Sequence, residues 1–291
     1  MCKHIIRLIR PEQWSKNLFV FLPLFFAQSI DDMQRLWACI ITFFAMSLAS
    51  SSIYVLNDMC DVEYDRNHPD KCRRPIACGV VSLSLAKVIY ALLLLSSFAV
   101  VAVLLPRTHI FILLAFYLIL NHAYSLWLKH VAIIDVMIVA FGFVLRIVAG
   151  AFAADVVPSQ WIIIMTFLLA LFLVLAKRRD DVLKYERTQE MARRNIAAYN
   201  RTFLDHTITL VAAITLVSYI MYTVDDEIVA RFDCSYIYTT AFFVLAGILR
   251  YLQITFVEEK SWSPTKAIIH DRFLQLSVIG WLLLFAFIIY G

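Results

Sequence analysis

Charged residues are scarce in this sequence. Asp, Glu, Lys and Arg make up 16% of its 291 residues, whereas hydrophobic residues make up 62%. A soluble domain carries about 25% charged residues, and polar positions interrupt its apolar segments at helical spacing. This chain instead repeats apolar runs of about 20 residues, the length that crosses a bilayer. The composition therefore excludes a soluble single-core protein and predicts an integral membrane protein.

Other common signals are also missing. The cysteines stand at positions 2, 39, 60, 72, 78 and 234 and form no C-x-x-C pair. Because no His lies at ligand spacing, we expect reduced thiols rather than a zinc site. The first apolar run is broken by Pro23 and has no small-residue cleavage site, so we expect no removable signal peptide. The net charge of +4 reports membrane topology, and we expect no nucleic-acid partner.

The apolar runs predict an all-α, polytopic membrane protein with about nine transmembrane helices. We expect these helices to bundle around a polar cavity that opens at the cytoplasmic face, within a single membrane-embedded domain of residues 1–291. Residues 1–13 are compatible with an interfacial amphipathic helix. The expected spans are roughly 17–30, 35–57, 82–105, 109–127, 131–154, 159–177, 203–224, 235–257 and 268–290.

Lys and Arg are distributed unevenly between these spans. One side collects most of them, including those of two long polar loops, 57–81 and 177–202, whereas the other side carries Arg35, Arg107 and Arg231. Because cytoplasmic segments are enriched in Lys and Arg, we expect both loops and the N-terminus in the cytoplasm and the C-terminus outside. This predicts a multi-pass protein of the inner (plasma) membrane with its active site facing the cytoplasm.

One acidic stretch ends the second predicted span. It places an amide, Asn57, and three carboxylates, Asp58, Asp61 and Asp65, after a long apolar run. The four-residue spacing puts Asn57, Asp61 and Asp65 on one helical face, which Asp58 flanks. Crowded carboxylates repel one another unless a cation lies among them, and hard oxygen ligands suit Mg²⁺. We therefore predict that these four residues form a Mg²⁺ site.

Basic residues follow this stretch directly, since Lys71, Arg73 and Arg74 come shortly after His68 and Pro69. Acidic groups for a metal, followed at once by basic groups for phosphate, indicate a metal–diphosphate site. The alternative is a solvated acidic helix end beside an ordinary basic loop, an uncommon arrangement next to a membrane-length segment.

The second polar loop is basic. Lys177, Asp181 and Tyr185 are spaced four apart and share one face of a continued helix. A face of cationic and hydroxyl groups suits phosphate and sugar binding. Other arginines of this loop are better explained as markers of the cytoplasmic end of a span; they are Arg179, Arg193 and Arg194.

Polar residues also lie at or inside the spans. Tyr124 and Lys129 close the fourth span, Lys16 opens the first, and Asp135 and Arg146 fall inside the fifth. Charged residues within a span usually pair or face a polar cavity. A structural ion pair and a functional role therefore explain Arg146 equally well, while Lys16 is placed to reach an anionic headgroup.

Taken together, these residues resemble the UbiA-type intramembrane prenyltransferase superfamily. The stretch Asn57-Asp58-x-x-Asp61-x-x-x-Asp65, with the later Arg74-Pro75, is similar to the first Asp-rich motif of that superfamily. Further segments are most similar to its decaprenyl-phosphate phosphoribosyltransferase branch. They are Arg10-Pro11-x-Gln13-Trp14-x-Lys16-Asn17, His68-Pro69-x-Lys71-x-x-Arg74-Pro75-Ile76-Ala77, Tyr124-Ser125-x-x-Leu128-Lys129-His130, Arg146-x-x-Ala149-Gly150 and Leu249-Arg250-Tyr251.

One departure separates the chain from ordinary prenyltransferases of this superfamily, which carry a second D-x-x-x-D motif after the sixth span. Here Tyr185 stands four residues after Asp181. The phosphoribosyl branch has Lys-Arg-x-x-Glu at this place, and the chain has Lys177-Arg178-x-x-Asp181. The change from Glu to Asp keeps the carboxylate but shortens its reach.

The resemblance implies Mg²⁺-dependent transfer of 5-phosphoribosyl from phosphoribosyl diphosphate to a polyprenyl (decaprenyl-like) phosphate, with release of diphosphate. Lys16, Lys129 and Arg146 are candidates for the lipid phosphate, and Asp181 and Tyr185 for the ribose hydroxyls. The implied catalytic residues are Asp58, Asp61, Asp65 and Asp181. The implied substrate-binding residues are Lys16, Asn57, Lys71, Arg74, Tyr124, Lys129, Arg146, Lys177 and Tyr185.

Two other functions stay open at this point. An aromatic prenyltransferase of the same superfamily would use a polyprenyl diphosphate donor, although the missing second D-x-x-x-D argues against it. A transporter would also place charges at helix ends, but transporters usually bind near the midplane on broken helices. The sequence leaves homo-oligomerisation open.

Overall fold

Every regular element among the described residues is helical, as the apolar runs predict. The chain divides into two compact units, residues 1–158 and 159–291. The single membrane-embedded domain stays a prediction. The computed structural model describes residues 2–67, 71–188, 196, 198–259 and 264–290. Of the loop residues named above, those that lie outside these ranges are His68, Pro69, Arg193 and Arg194.

The first unit packs around a core that five of its helices and one 3₁₀ segment supply. Val20, Met46, Leu114 and Leu145 belong to its buried core. Its α-helices are α1 (Cys2–Ile9), α2 (Leu22–Phe26), α3 (Met33–Cys60), α4 (Val62–Arg66), α5 (Leu83–Leu104), α6 (Thr108–Leu126) and α7 (Ile134–Ala154). Its 3₁₀ segments are Pro11–Phe21, Lys71–Arg73 and Leu128–His130.

The first predicted span, 17–30, is not a continuous α-helix. The segment Pro11–Phe21 is a 3₁₀ helix, and only the five residues of α2 that follow it are α-helical. Pro23 has no backbone N–H to donate to the Phe19 carbonyl, so α-helical hydrogen bonding cannot continue unbroken through this point. A 3₁₀ segment of this length is unusual.

A glycine lets this segment lie close to α7. A Cβ atom at Gly150 would collide with the carbonyl group of Val20, so only glycine permits the two backbones to approach this closely. The thiol of Cys39 on α3 lies 3.8 Å from the Gly150 carbonyl oxygen. The segment that carries Lys16 and Asn17 is thereby held against the long helices of the unit.

The second unit contains the remaining helices. Ring stacking between Tyr222 and Phe285, whose centroids lie 6.4 Å apart, joins two of them, and Phe232 packs edge-on against the same Phe285 ring. Its α-helices are α8 (Gln160–Thr188), α9 (Arg201–Thr223), α10 (Asp226–Phe232), α11 (Ala241–Phe256), α12 (Pro264–His270) and α13 (Arg272–Tyr290), with a 3₁₀ segment at Ile237–Thr240.

Seven described helices are long and apolar enough to cross a membrane. They match the second to eighth predicted spans. The last predicted span corresponds to α13, whose apolar part, Arg272–Ile288, is shorter. Nine crossings and a polar cavity therefore stay predictions. Helix α8 runs on to Thr188, so the start of the second predicted loop is helical.

Candidate active site

The acidic stretch spans a break between two helices. Helix α3 ends at Cys60, the backbone turns at Asp61, and α4 starts at Val62. The side-chain contacts then separate the stretch into two pairs, Asp58 with Asp65 and Asn57 with Asp61. Backbone hydrogen bonds run from Asp61 N–H to the Asn57 carbonyl and from Asp65 N–H to the Asp61 carbonyl across this break, and the common face of these three residues stays a prediction.

The first pair is almost fully buried and is bridged by one arginine. Asp58 and Asp65 are 2% and 1% exposed. Arg74 Nη1 donates to Asp58 Oδ1 at 3.0 Å and to Asp65 Oδ2 at 2.6 Å. Arg10 Nη2 donates to Asp58 Oδ1 at 2.6 Å. Two guanidinium groups therefore balance the charge of these two carboxylates.

The second pair is held by a lysine. Asn57 Nδ2 donates to Asp61 Oδ2 at 3.1 Å, while Lys129 Nζ donates to Asp61 Oδ1 at 2.6 Å and to Asn57 Oδ1 at 3.3 Å. Lys129 lies in the 3₁₀ segment just after α6, and Tyr124 lies half-buried near the end of that helix. The sequence suggested the lipid phosphate as a partner of Lys129, but the structure places this ammonium group on the acidic stretch.

Two carboxylate oxygens of the Asp58–Asp65 pair are available for metal binding. Asp58 Oδ2 and Asp65 Oδ1 are buried and have no hydrogen-bond partner among the described residues. A buried, unsatisfied carboxylate oxygen is costly, and a divalent cation would satisfy both. In the described part of the chain, no three His, Cys, Asp or Glu side chains lie close enough to hold a metal by themselves. Because Mg²⁺ typically takes one or two carboxylates together with water and substrate phosphates, the donor set fits a Mg²⁺ ion shared with a substrate.

The ionisation of Asp65 depends on the cations around it. Burial raises the pKa of its carboxyl above the ordinary value, while the charge and hydrogen bond of Arg74 and the charge of Lys71 lower it. The ammonium group of Lys71 also lies over the Tyr64 ring, 5.2 Å from its centroid. Lys71 therefore stands beside the buried carboxylate pair, as the order of acidic and basic residues predicts.

Arg10 is a site residue that the sequence did not assign. Its backbone φ is 54°, in the left-handed region, which costs about 1–3 kcal/mol for a residue other than glycine. This conformation brings the guanidinium group onto Asp58, and also over the Tyr54 ring at 5.2 Å from its centroid. The only sequence signal was its place in the Arg10-Pro11 segment, which carries no spacing information about Asp58.

Arg146 lies in a second, separate group of polar side chains in the first unit. It is 6% exposed. Arg146 Nε donates to Asn17 Oδ1 at 2.6 Å, Nη1 to the Gly142 carbonyl at 2.6 Å, and Nη2 to Tyr117 Oη at 3.1 Å and Ser50 Oγ at 3.4 Å. All of these partners are neutral, so the ion pair considered from the sequence does not form with any described residue.

The basic motif of the second unit lies along α8. Because α8 is continuous from Gln160 to Thr188, Lys177, Asp181 and Tyr185 share a face as predicted. Lys177 is exposed and Tyr185 is half-buried. Asp181 Oδ2 accepts a hydrogen bond from Arg178 Nη1 at 3.1 Å.

Arg179 serves the packing of the second unit. It is 1% exposed, and it donates to Asp205 Oδ1 at 2.5 Å and to the Thr255 carbonyl at 2.7 Å. Its guanidinium group also lies over the Phe256 ring. Helices α8, α9 and α11 are joined by these contacts.

Known proteins share this sequence pattern over nearly the whole chain. The sequence profile of the UbiA prenyltransferase family matches residues 18–275. The decaprenyl-phosphate phosphoribosyltransferase of Mycolicibacterium smegmatis is 32% identical over 293 residues, which cover 96% of this chain and 90% of that protein. The protein of the same name from Corynebacterium glutamicum is 29% identical over 289 residues, covering 98% and 86%.

Solved structures share the fold. A UbiA homolog from Archaeoglobus fulgidus bound to GPP and Mg²⁺ matches with a TM-score of 0.73 at 19% identity, covering 98% of this chain and 99% of that one. The same homolog has also been solved with Cd²⁺, and that structure matches with a TM-score of 0.69 at 17% identity, covering 98% and 99%. With its apolar helices and a family match over most of its length, the chain is a multi-pass membrane protein that belongs to the UbiA prenyltransferase family.

Proposed function

We propose that the protein transfers 5-phosphoribosyl from phosphoribosyl diphosphate to a polyprenyl phosphate and releases diphosphate. The observation that carries this proposal is the pairing of carboxylates of the acidic stretch with Arg10, Arg74 and Lys129 at the end of α3. This mixture of acidic and basic groups is suited to a metal-bound diphosphate. The names of the relatives that align over nearly the whole chain support the same reaction.

The reaction needs one substitution at carbon. A phosphate oxygen of the lipid attacks the anomeric carbon of the ribose, the bond from that carbon to the diphosphate oxygen breaks, and the diphosphate leaves with the bonding electrons. A phosphomonoester has its second pKa at about 6 and is mostly ionised at neutral pH. No side chain is therefore required as a general base.

The acidic stretch would serve the leaving group. Asn57, Asp58, Asp61 and Asp65 would hold Mg²⁺, which supplies positive charge that offsets the charge building on the diphosphate. Arg74 and Lys71 lie beside these carboxylates and would bind the phosphates of the donor. Guanidinium groups suit this role because they contact phosphate through two parallel hydrogen bonds.

The second unit would contribute to recognition of the sugar phosphate. We assign Lys177 to a donor phosphate, and Asp181 and Tyr185 to the ribose hydroxyls. Tyr124 in the first unit is assigned to the substrate as well. Variants of Asp181 should raise KM for phosphoribosyl diphosphate more than KM for the lipid, and Asp181→Glu should retain more activity than Asp181→Asn because it keeps the carboxylate. Equal effects on both KM values would contradict the assignment of Asp181.

The membrane would supply the acceptor and the cytoplasm the donor. The uneven distribution of Lys and Arg supports an inner-membrane protein whose two polar loops face the cytoplasm. Phosphoribosyl diphosphate is soluble and would enter from that side, while the polyprenyl phosphate would reach the site from the bilayer.

The competing function is attachment of a polyprenyl chain to an aromatic acid. It is favoured by the structural match to a homolog bound to GPP and Mg²⁺, and it is disfavoured by Tyr185 at the place of a second motif carboxylate. The test gives the purified protein both donor–acceptor pairs in separate reactions, with and without Mg²⁺. We expect product only from phosphoribosyl diphosphate with polyprenyl phosphate. Product only from a polyprenyl diphosphate with 4-hydroxybenzoate would overturn the proposal.

A further inference from the structure

Arg146 and Lys16 are cations of the first unit that form no salt bridge with any described carboxylate. Arg146 is 6% exposed, and each of its hydrogen bonds goes to a neutral acceptor. The ammonium group of Lys16 makes no hydrogen bond or ion pair with any residue in the described part of the chain. The two residues are close, since Asn17, the residue after Lys16, accepts a hydrogen bond from Arg146. In agreement with this, burial first and then the charge of Arg146 lower the pKa of Lys16 to about 8.

The groups that contact Arg146 are neutral and are themselves held by hydrogen bonds. Asn17 is fully buried, accepts from Arg146 and donates to Ser47 Oγ at 2.9 Å. Ser50 donates to the Met46 carbonyl at 2.7 Å and lies 3.1 Å from Tyr117 Oη. These contacts hold the guanidinium group in place but leave its charge unbalanced. An unbalanced buried charge is costly, and an anion would relieve that cost.

The cations that contact the acidic stretch differ in this respect. Arg10 and Arg74 both contact Asp58, and Lys129 contacts Asp61. Lys16 and Arg146 are therefore the better recipients of a further anion. Their two positive charges match a phosphomonoester, which carries about −1.5 to −2 at neutral pH.

The position of the pair also fits an acceptor. Ser50, which contacts Arg146, precedes Asn57 on α3 by seven residues, about 10 Å along the axis of an α-helix. The pair therefore lies deeper in the apolar part of the unit than the acidic stretch. That separation leaves room for the ribose between a diphosphate at the acidic stretch and a phosphate at Arg146.

We infer that Lys16 and Arg146 hold the phosphate of the polyprenyl phosphate acceptor and that Lys129 does not. The identity of the lipid rests on the proposed function, whereas the presence of a phosphate site rests on the two unbalanced cations. Arg146 would fix the position of the phosphate. Lys16, which is more accessible, would contact it as the lipid enters.

The test measures binding by calorimetry, with the purified full-length protein in detergent micelles. The probes are farnesyl phosphate, farnesol and phosphoribosyl diphosphate with Mg²⁺. We expect Lys16→Gln and Arg146→Gln each to weaken farnesyl phosphate binding by about tenfold or more. This is the loss of affinity that removal of one hydrogen bond to a charged group produces. Farnesol and phosphoribosyl diphosphate should bind these variants as they bind the wild type.

Matched control variants distinguish loss of the phosphate site from the general effect of removing a positive charge. Arg107→Gln removes a guanidinium group that also contacts α7, through the Phe152 and Ala153 carbonyls. Lys87→Gln removes an exposed lysine of α5. Both controls should leave farnesyl phosphate binding unchanged. If Arg146→Gln does not fold, Lys16→Gln decides, because the Lys16 ammonium has no described partner to lose.

Three outcomes would overturn the inference. Farnesyl phosphate could bind the Lys16 variant as tightly as the wild type, farnesol binding could fall as much as farnesyl phosphate binding, or the loss could appear for phosphoribosyl diphosphate instead. The last result would assign the pair to the donor. A protein that binds farnesyl phosphate through Lys16 but transfers no phosphoribosyl group would refute the proposed function and leave the phosphate site standing.

Discussion

Replacing Asp58 with Asn should destabilise the first unit more than replacing Asp61 with Asn. Asp58 is 2% exposed and contacts both Arg10 and Arg74, whereas the Asp61 side chain is 28% exposed and pairs with one lysine. Removing one partner of a buried pair costs about 3–5 kcal/mol because the other charge stays uncompensated. Since the arginine side chains are 22% and 25% exposed, water lowers this cost. We expect about 2–4 kcal/mol for Asp58→Asn and about 1 kcal/mol for Asp61→Asn.

The measurement is equilibrium unfolding of the purified variants in mixed detergent micelles, with Asp31→Asn as an exposed control. Adding Arg10→Gln to Asp58→Asn should cost less than the two single changes added together, because Asp58 is the carboxylate that Arg10 contacts, so the second change removes a charge that the first left unpaired. The reasoning is refuted if Asp58→Asn unfolds like Asp61→Asn, or if the double variant is additive.

Three further predictions follow from particular contacts. Gly150→Ala should lower the unfolding temperature and lipid turnover together, because the new methyl group meets the Val20 carbonyl; an unchanged melting curve would contradict the close approach. Arg179→Met should lower stability by about 1–3 kcal/mol through the lost bonds to Asp205 and a buried carbonyl, with turnover per folded molecule retained; a folded but inactive variant would contradict the packing role. The pKa of Lys16 is lowered to about 8 from 10.5, so it loses its proton as pH rises through about 8, and kcat/KM for the lipid should fall there. Arginine stays protonated, so Lys16→Arg should remove this fall; the same fall in the variant would exclude Lys16 as its source.

The long apolar helices could be predicted because their signal is local. Segments of about 20 apolar residues identify spans without knowledge of their neighbours, and seven predicted spans are helices of sufficient length. The first predicted span failed because hydropathy does not register hydrogen-bond geometry. The missing N–H of Pro23 and the 3₁₀ form of Pro11–Phe21 are invisible to an apolar count.

The acidic stretch was also predicted only in part. Its residues could be recognised from composition and spacing, but their cationic partners could not, because these lie in other elements of the chain. The contacts of Asp58 with Arg10 and Arg74 join residues 48 and 16 positions apart. Such distant partners follow from packing, and no local pattern predicts them.

Arg146 illustrates a further limit. A charged residue within a span usually pairs or faces a polar cavity, and the sequence left both a structural ion pair and a functional role open for Arg146. The structure instead surrounds Arg146 with an amide, a carbonyl and two hydroxyl groups. A serine is small enough to occur in any membrane helix, so the sequence gave no sign that Ser50 accepts a hydrogen bond from a guanidinium group.

The most direct test of the proposed function asks which phosphate of the donor reaches the lipid. Phosphoribosyl diphosphate labelled at the ribose 5-phosphate and, separately, at the diphosphate would be supplied with decaprenyl phosphate, Mg²⁺ and the purified protein. We predict that the 5-phosphate label moves into the lipid phase and that the diphosphate label stays in water as free diphosphate in equal amount. Asp61→Ala, if it remains inserted, should abolish both. Diphosphate label in the lipid, or no transfer of the 5-phosphate label, would contradict the proposed reaction.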